Sequence, residues 1–347
     1  MSSVGRYLTK NWRNVLSIVT LLAMALLVYA LREQILDTLK TIQRVNYFVL
    51  LLMIPLQILN YWAYARFYGT LLDHLKQSVS TARLFRVTLE LNFVNNAFPS
   101  GGISGISFFG LRLRRYGVSG GSATLLQLIK FLLVFVSFQV LIAFGLFALA
   151  AEGGVNNLLL LIAAVLATLT IVGTFLLAFI VGSKSRINAT STFLAKMLNR
   201  VIQLVRPKHP ETINLDRVIQ VMGDIHGSFK KLRSNVSVLR QALLFALLAN
   251  ITEVLTVYVV YIAFGEFVNI GAVIIAYAIA NFAGMVSVLP GGVGIYEALM
   301  TAALAAGGIP AALSIPVVVM YRILSMALQL IPGWFLYHDS LKKGQAA

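Results

Sequence analysis

Long apolar runs are the feature of this sequence that most restricts its fold. The longest lie at about residues 15–31, 46–66, 120–150, 156–182, 240–264 and 310–337. A helix of roughly 20 apolar residues is long enough to cross the hydrocarbon core of a bilayer. Hydrophobic residues make up 59% of the chain, and the 12% that are charged are too few to coat a soluble domain. These runs predict an all-α polytopic integral membrane protein with about six full spans.

The distribution of basic residues predicts the orientation of these spans. The chain has 28 Lys and Arg against 12 Asp and Glu, a net charge of +16. In membrane proteins Lys and Arg accumulate in cytoplasmic loops, so this surplus needs no nucleic-acid partner. The N-terminus, the segment 183–239 and the pair Lys342-Lys343 are basic, whereas the loops at Glu152 and Glu266 contain no Lys or Arg. We therefore expect a multi-pass protein of the plasma membrane with both termini cytoplasmic.

The basic segment 183–239 has helical periodicity in its second half. Apolar residues recur at helical spacing from Leu215 to Leu239, with Lys and Arg among them. This pattern predicts an amphipathic helix along the membrane surface, within one membrane domain that comprises residues 1–347. A solvated connector between two spans explains the same residues equally well.

Two weaker apolar regions, at about 83–118 and 268–308, are interrupted in the middle by Pro and Gly. The interrupting residues are Pro99, Gly101 and Gly102 in the first region and Pro290, Gly291, Gly292 and Gly294 in the second. A glycine follows each proline at the same spacing, Gly117 in one region and Gly308 in the other, and a long span comes after it. Each region therefore has the pattern of a re-entrant hairpin that is broken at its tip.

The two broken regions belong to a longer internal repeat. Residues 46–150 and 240–337 both contain a span, a broken hairpin and a second span. The charge distribution gives the two copies opposite orientations, and inverted repeats with interrupted helices are typical of transporters. Two helices that are merely kinked at Pro and Gly are the alternative interpretation.

Ionisable residues inside apolar runs are the strongest candidates for function, because a charge at membrane depth is costly. Lys130 and Arg322 occupy matching places in the two repeats, with Gln127 and Gln329 on the same helical faces. Glu297 begins the short helix after the second break, where a helix N-terminus favours an anion. We expect these residues to surround a lipid headgroup.

The predicted site has two groups of residues. Headgroup binding is expected at Lys130, Arg322, Glu297, Asn281 and Asn95, and supporting polar contacts at Glu253, Glu90, Gln127 and Gln329. Internal ion pairs between the two cations and these glutamates are an alternative, as are interhelical hydrogen bonds for the asparagines. An aromatic belt at the membrane interface is expected to contain Tyr61, Tyr64, Trp62 and Trp334.

The second motif resembles that of a known family. Pro290-Gly291-Gly292-Val293-Gly294-Ile295-Tyr296-Glu297, with Asn281 before it and Arg322 after it, is similar to the flippase-like membrane domain of lysylphosphatidylglycerol synthases. The resemblance implies a role in moving or handling phospholipids or polyprenyl-linked lipids. It further implies a stand-alone member, since no aminoacyl-transferase domain is recognised. In one departure from many relatives, no acidic residue lies between Pro99 and Lys130.

The function we expect is that of a lipid translocase with anionic membrane lipids as partners and with no catalytic residues, metal or cofactor. The histidines have no metal-ligand spacing, the aspartates are isolated, and the chain contains no cysteine. A membrane-embedded lipid-linked glycosyl- or aminoacyl-transferase is the alternative, and a regulatory membrane subunit is another. The sequence does not identify an oligomeric state or a partner transferase.

The predicted orientation can be tested with single cysteines, because the chain has none of its own. We expect Ser183→Cys in intact cells to resist an impermeant thiol reagent and Glu266→Cys to react with it. Labelling of Ser183→Cys from outside would contradict the orientation. Labelling of cysteines at positions 80 and 112 from opposite sides would show that the first hairpin crosses the membrane fully.

Overall fold

A computed structural model describes residues 45–97, 103–152, 157–190, 192–193, 215–286, 292 and 294–343. The predicted first span at 15–31 lies outside these residues. The same is true of Pro99, Gly101, Gly102, Pro290 and Gly291, which belong to the two predicted breaks. Gly292 and Gly294 are described.

The described part of the chain is helical and contains no strand, which confirms the predicted all-α class. The helices are α1 Tyr47–Leu50, α2 Met53–His74, α3 Thr81–Ala97, α4 Ile103–Arg114, α5 Gly120–Ala151, α6 Asn157–Val181, α7 Leu215–Arg233, α8 Val236–Ala263, α9 Ile270–Val286, α10 Ile295–Ala306 and α11 Ala311–Lys343. Within the described ranges, 5 segments are long and apolar enough to cross a membrane: Tyr47–His74, Gly120–Ala151, Asn157–Val181, Val236–Ala263 and Ala311–Ser340. The protein is therefore a multi-pass membrane protein.

The helices of the two predicted repeats follow one another in the same order and with similar lengths. The hairpin helices α3 and α4 have 17 and 12 residues, as do α9 and α10. The long helices that follow, α5 and α11, have 32 and 33 residues. At about 1.5 Å per residue, a hairpin helix is shorter than the roughly 30 Å hydrocarbon core. As described, all four are shorter than the roughly 20 residues of a typical spanning helix.

Both long helices are preceded by a glycine in a left-handed conformation. Gly117 has φ of 80° and Gly308 has φ of 87°, values that side chains other than glycine rarely adopt. Ser119 then caps α5, because its side chain accepts the backbone N–H of Ser122. These turns explain why the spacing of the two glycines relative to the two long helices is alike.

The amphipathic helix predicted in the basic segment is α7, and it packs on the protein. Ile225 and Leu232 on its apolar face are buried. The helix ends at Arg233, earlier than the predicted Leu239, because the side chain of Asn235 accepts the N–H of Val238 and begins α8. Val236 and Leu239 therefore belong to a membrane helix and not to the amphipathic one.

Glycines allow helices of the first predicted repeat to approach helices of the second closely at two crossings. A side chain on Gly271 of α9 would lie 2.3 Å from the backbone oxygen of Gly145 in α5. A side chain on Gly333 of α11 would lie 2.6 Å from the Cβ of Phe93 in α3. Small residues at membrane-helix interfaces bring backbones into van der Waals contact, which replaces the hydrophobic effect as the driving force.

The crossing of α3 and α11 provides a stability prediction. We expect Gly333→Ala to destabilise the protein by about 1–3 kcal/mol, because the added methyl group overpacks the contact with Phe93. The matched control is Gly173→Ala in α6, where an added Cβ meets nothing within 4 Å. Thermal unfolding of the purified protein in detergent should show a lower Tm for Gly333→Ala only. Equal Tm values for the two variants would contradict the packing.

Candidate functional site

A cluster of charged and tyrosine side chains connects five membrane helices. We call it the central cluster, and its members are Tyr64 of α2, Lys130 of α5, Glu253 of α8, Tyr296 and Glu297 of α10, and Tyr321 and Arg322 of α11. Each cation in the cluster lies about 15 Å from the start of its long helix, ten or eleven residues in. The matching places of Lys130 and Arg322 in the sequence thus become matching positions along the two long helices.

Arg322 is held by a carboxylate and an aromatic ring. Its Nε donates a hydrogen bond of 2.9 Å to Oε1 of Glu297, and both side chains are largely buried. Its guanidinium lies over the ring of Tyr296, 4.2 Å from the centroid. A desolvated cation is stabilised by the negative face of such a ring. The internal ion pair that the sequence left open as an alternative is therefore present for Arg322.

Glu297 also stabilises the start of α10. Its second oxygen, Oε2, accepts the backbone N–H of Gly294 at 2.7 Å. Gly294 has φ of 86°, and Gly292 nearby has φ of 68°, so both need the freedom of glycine. The predicted anion at this helix N-terminus is thus the chain's own carboxylate, and both of its oxygens have partners inside the protein.

Lys130 differs from Arg322 because it has no carboxylate partner among the described residues. Its ammonium lies over the ring of Tyr64, 4.6 Å from the centroid. The four ion pairs found between described side chains involve arginines only. An unpaired ammonium at membrane depth is costly, and residues of this kind mark ligand or ion pathways in membrane proteins.

Glu253 of α8 is held by two neutral donors. Gln57 of α2 donates to one carboxylate oxygen and Tyr321 donates to the other, both at 3.2 Å. The charge of Arg322 also acts on this carboxylate. Asn281 joins the edge of the cluster, since its amide donates to the carbonyl of Tyr277 and to the hydroxyl of Tyr296.

Glu90 belongs to a different site. The carboxylate of this fully buried residue accepts two hydrogen bonds from Arg112 of α4, at 2.7 and 3.1 Å, and one from Arg86 at 3.1 Å. Arg86 also pairs with Asp339 near the end of α11, and Arg115 donates to the carbonyl of Ser340. We call these residues the arginine network. It joins the first hairpin to α11 and is separate from the contacts of Lys130.

The remaining predicted residues take part in contacts between helices. Gln329 of α11 accepts a hydrogen bond from Asn96 of α3, and Gln127 of α5 donates to the hydroxyl of Tyr68. Asn95 lies against Gly105, where a Cβ would come within 1.9 Å of its Oδ1, and that buried oxygen has no hydrogen-bond partner among the described residues. The sequence did not predict Asn96 as the partner of Gln329 or Tyr68 as the partner of Gln127.

The sequence did not predict three residues of the central cluster, Tyr64, Tyr296 and Tyr321, as site residues. It did not predict the nearby Gln57 either. The predicted aromatic belt is wrong for Tyr61, which is buried inside the protein, and Tyr64 is partly buried beneath Lys130. The spacing of Gln57, Tyr61 and Tyr64 in α2 could have predicted their burial, because it places all three on one face of the helix. Such a polar stripe faces protein rather than lipid.

The described residues contain no group of three or more His, Asp or Glu side chains that could hold a metal ion. The arrangement instead combines buried cations, tyrosine rings and amide groups. Within a membrane, these groups can bind an anionic headgroup or position charges for one.

Comparisons with known proteins identify the family of this chain. The family model described as the lysylphosphatidylglycerol synthase TM region matches residues 14–333. A UPF0104 membrane protein of Methanothermobacter thermautotrophicus is 36% identical over 92 residues, an alignment that covers 26% of this chain and 28% of that relative. No solved structure matches the chain. Because the family model covers most of its length, this chain belongs to the lysylphosphatidylglycerol synthase transmembrane-region family.

Proposed function

We propose that the protein is a lipid translocase in which Lys130 and Arg322 bind the phosphate of an anionic phospholipid or polyprenyl-linked lipid. Membership of a lipid-handling family supports the class of substrate. The observation that carries the proposal is the ammonium of Lys130, which lies at membrane depth with an aromatic contact and no carboxylate among the described residues. A lipid phosphate supplies the missing negative charge.

The cost of moving a headgroup explains why such a site is useful. A phosphate in hydrocarbon loses its hydration, and an isolated charge there is very unfavourable. Lys130 has three N–H donors for phosphate oxygens, and the ring of Tyr64 holds its position without neutralising it. The acyl chains remain in the bilayer while the headgroup passes the two cations.

Tyr296 and Glu297 act in this proposal as positioning residues for Arg322. The ring and the carboxylate fix the guanidinium from two directions. A planar guanidinium that is already oriented loses little conformational freedom when it binds phosphate oxygens. Glu297 therefore need not contact the lipid in order to matter for transport.

Removal of either cation should slow lipid movement. We expect Lys130→Gln and Arg322→Lys each to reduce translocation roughly tenfold, the effect of losing one charge-assisted hydrogen bond. Arg322→Lys keeps the charge but loses the two-pronged contact with phosphate. The measurement is the transfer of fluorescent phosphatidylglycerol between leaflets of reconstituted vesicles, with Lys230→Gln on the exposed face of α7 as control. Wild-type rates in a folded Lys130→Gln, Arg322→Gln double variant would refute the phosphate site.

A stability measurement separates a structural role of Arg322 from a role in binding. Arg322→Gln should destabilise the protein by about 3–5 kcal/mol, because Glu297 loses its buried partner. Adding Glu297→Gln should restore much of this loss, since position 297 then carries no charge that lacks its partner. Thermal unfolding gives the stability of each variant, and the same vesicles give its transport. We expect the stable double variant to transport slowly. Recovery of transport along with stability would mean that Arg322 acts only through the fold.

A further inference from the structure

A groove separate from the central cluster opens between α5, α6 and α7. Its volume is about 520 Å³, and Leu239 at the start of α8 closes one side. The wall is formed mainly by apolar side chains, among them Leu133 of α5 and Phe175 and Phe179 of α6. The groove is therefore suited to a hydrocarbon chain rather than to a polar solute.

The depth and position of the groove fit a lipid tail. The wall contributed by α6 and the residue after it runs from Thr174 to Gly182, which corresponds to about 12 Å along a helix. Phe175 and Phe179 also have exposed surface, 73% and 57%, on a helix that is apolar enough to span a membrane. The groove is thus continuous with the lipid-facing surface of α6.

Two arginines lie at the end of the groove where α6 and α7 both terminate. Arg186 follows α6 and Arg233 ends α7, and both line the groove while remaining exposed. The guanidinium of Arg186 lies 3.8 Å from the centroid of the Phe179 ring, which holds the charge at the edge of the apolar wall. Neither arginine forms an ion pair with any carboxylate of the described residues.

Specific contacts hold α7 in place at this end of the groove. His226 of α7 hydrogen-bonds to the carbonyl of Val181 at 2.9 Å, and Ser122 of α5 contacts Ser228 of α7 at 3.0 Å. Gly121 allows this approach, because a Cβ there would lie 2.2 Å from the Cβ of Asp224. These contacts fix α7 to the ends of α5 and α6, with Arg233 beside the opening.

We propose that the groove binds one acyl chain of an anionic phospholipid, with the headgroup phosphate between Arg186 and Arg233. Charge complementarity favours this occupant, since guanidinium groups bind phosphate oxygens in pairs of hydrogen bonds. An apolar wall that leads to two arginines without a carboxylate partner among the described residues matches the order of tail and phosphate in a phospholipid. This site concerns equilibrium binding and does not depend on translocation through the central cluster.

Photolabelling of the full chain in nanodiscs tests the site. The probe is phosphatidylglycerol with a photoactivatable acyl chain, in a phosphatidylcholine bilayer. We expect labelled peptides to include Phe175 and Phe179. In an Arg186→Gln, Arg233→Gln variant, labelling of these peptides should fall roughly tenfold, as expected for the loss of charged hydrogen bonds.

A matched variant and a matched lipid serve as controls. Lys184→Gln, Lys230→Gln removes two exposed charges from the same region but none from the groove lining, so labelling should persist. Lys130→Gln, Arg322→Gln should also keep the label, which separates this site from the proposed transport function. Three results would overturn the proposal: equal loss in the lysine variant, equally strong labelling by a phosphatidylcholine probe, or crosslinking of α6 to a second copy in place of lipid.

Discussion

The carboxylate of Glu297 satisfies two groups that are costly to leave alone inside a membrane. One oxygen accepts the N–H of Gly294 at the start of α10, and the other binds the guanidinium of Arg322 in α11. A backbone donor without a partner costs several kcal/mol where water is absent, and a buried cation without a partner costs more. A single side chain therefore stabilises the interrupted helix and the charge beside it. Within the central cluster, the ring of Tyr296, the neighbour of Glu297 in α10, contacts the same guanidinium.

Aromatic rings perform a complementary task for the two cations. A ring attracts a cation without cancelling its charge, so the contact lowers the cost of burial while the cation remains able to attract an anion. Lys130 and Arg322 both have such a contact, with Tyr64 and Tyr296. Arg322 has a carboxylate in addition, and Lys130 has none among the described residues. The two cations therefore differ in how much of their charge is available to a ligand.

Hydropathy and helix signals predicted most of the fold that the structure describes. The runs at 120–150 and 156–182 correspond to Gly120–Ala151 and Asn157–Val181, because apolar length alone defines a membrane helix. The end of α7 was predicted at Leu239, six residues after its actual end at Arg233. The apolar spacing continues across this boundary, so it does not reveal that Asn235 caps the start of a new helix.

The candidate site was less predictable than the fold. Lys130 and Arg322 were identifiable because a charge in an apolar run is conspicuous. Their aromatic partners were not all identifiable, because Tyr64 and Lys130 are distant in sequence and meet only through the packing of α2 and α5. The rotation of each helix about its own axis decides such contacts. Glu90 shows the same limit, since it was predicted near the headgroup and instead binds Arg86 and Arg112.

The long helix α11 carries members of two polar sites. Arg322 lies in the central cluster, and Asp339 and Ser340 contact Arg86 and Arg115 of the arginine network. Roughly 25 Å of helix separates Arg322 from Asp339. Pro332 lies between them and cannot donate a backbone hydrogen bond to the preceding turn, so the helix is weakest to bending there. A shift of α11 along its own axis would therefore move both polar sites together. A bend at Pro332 would instead change the position of one site relative to the other.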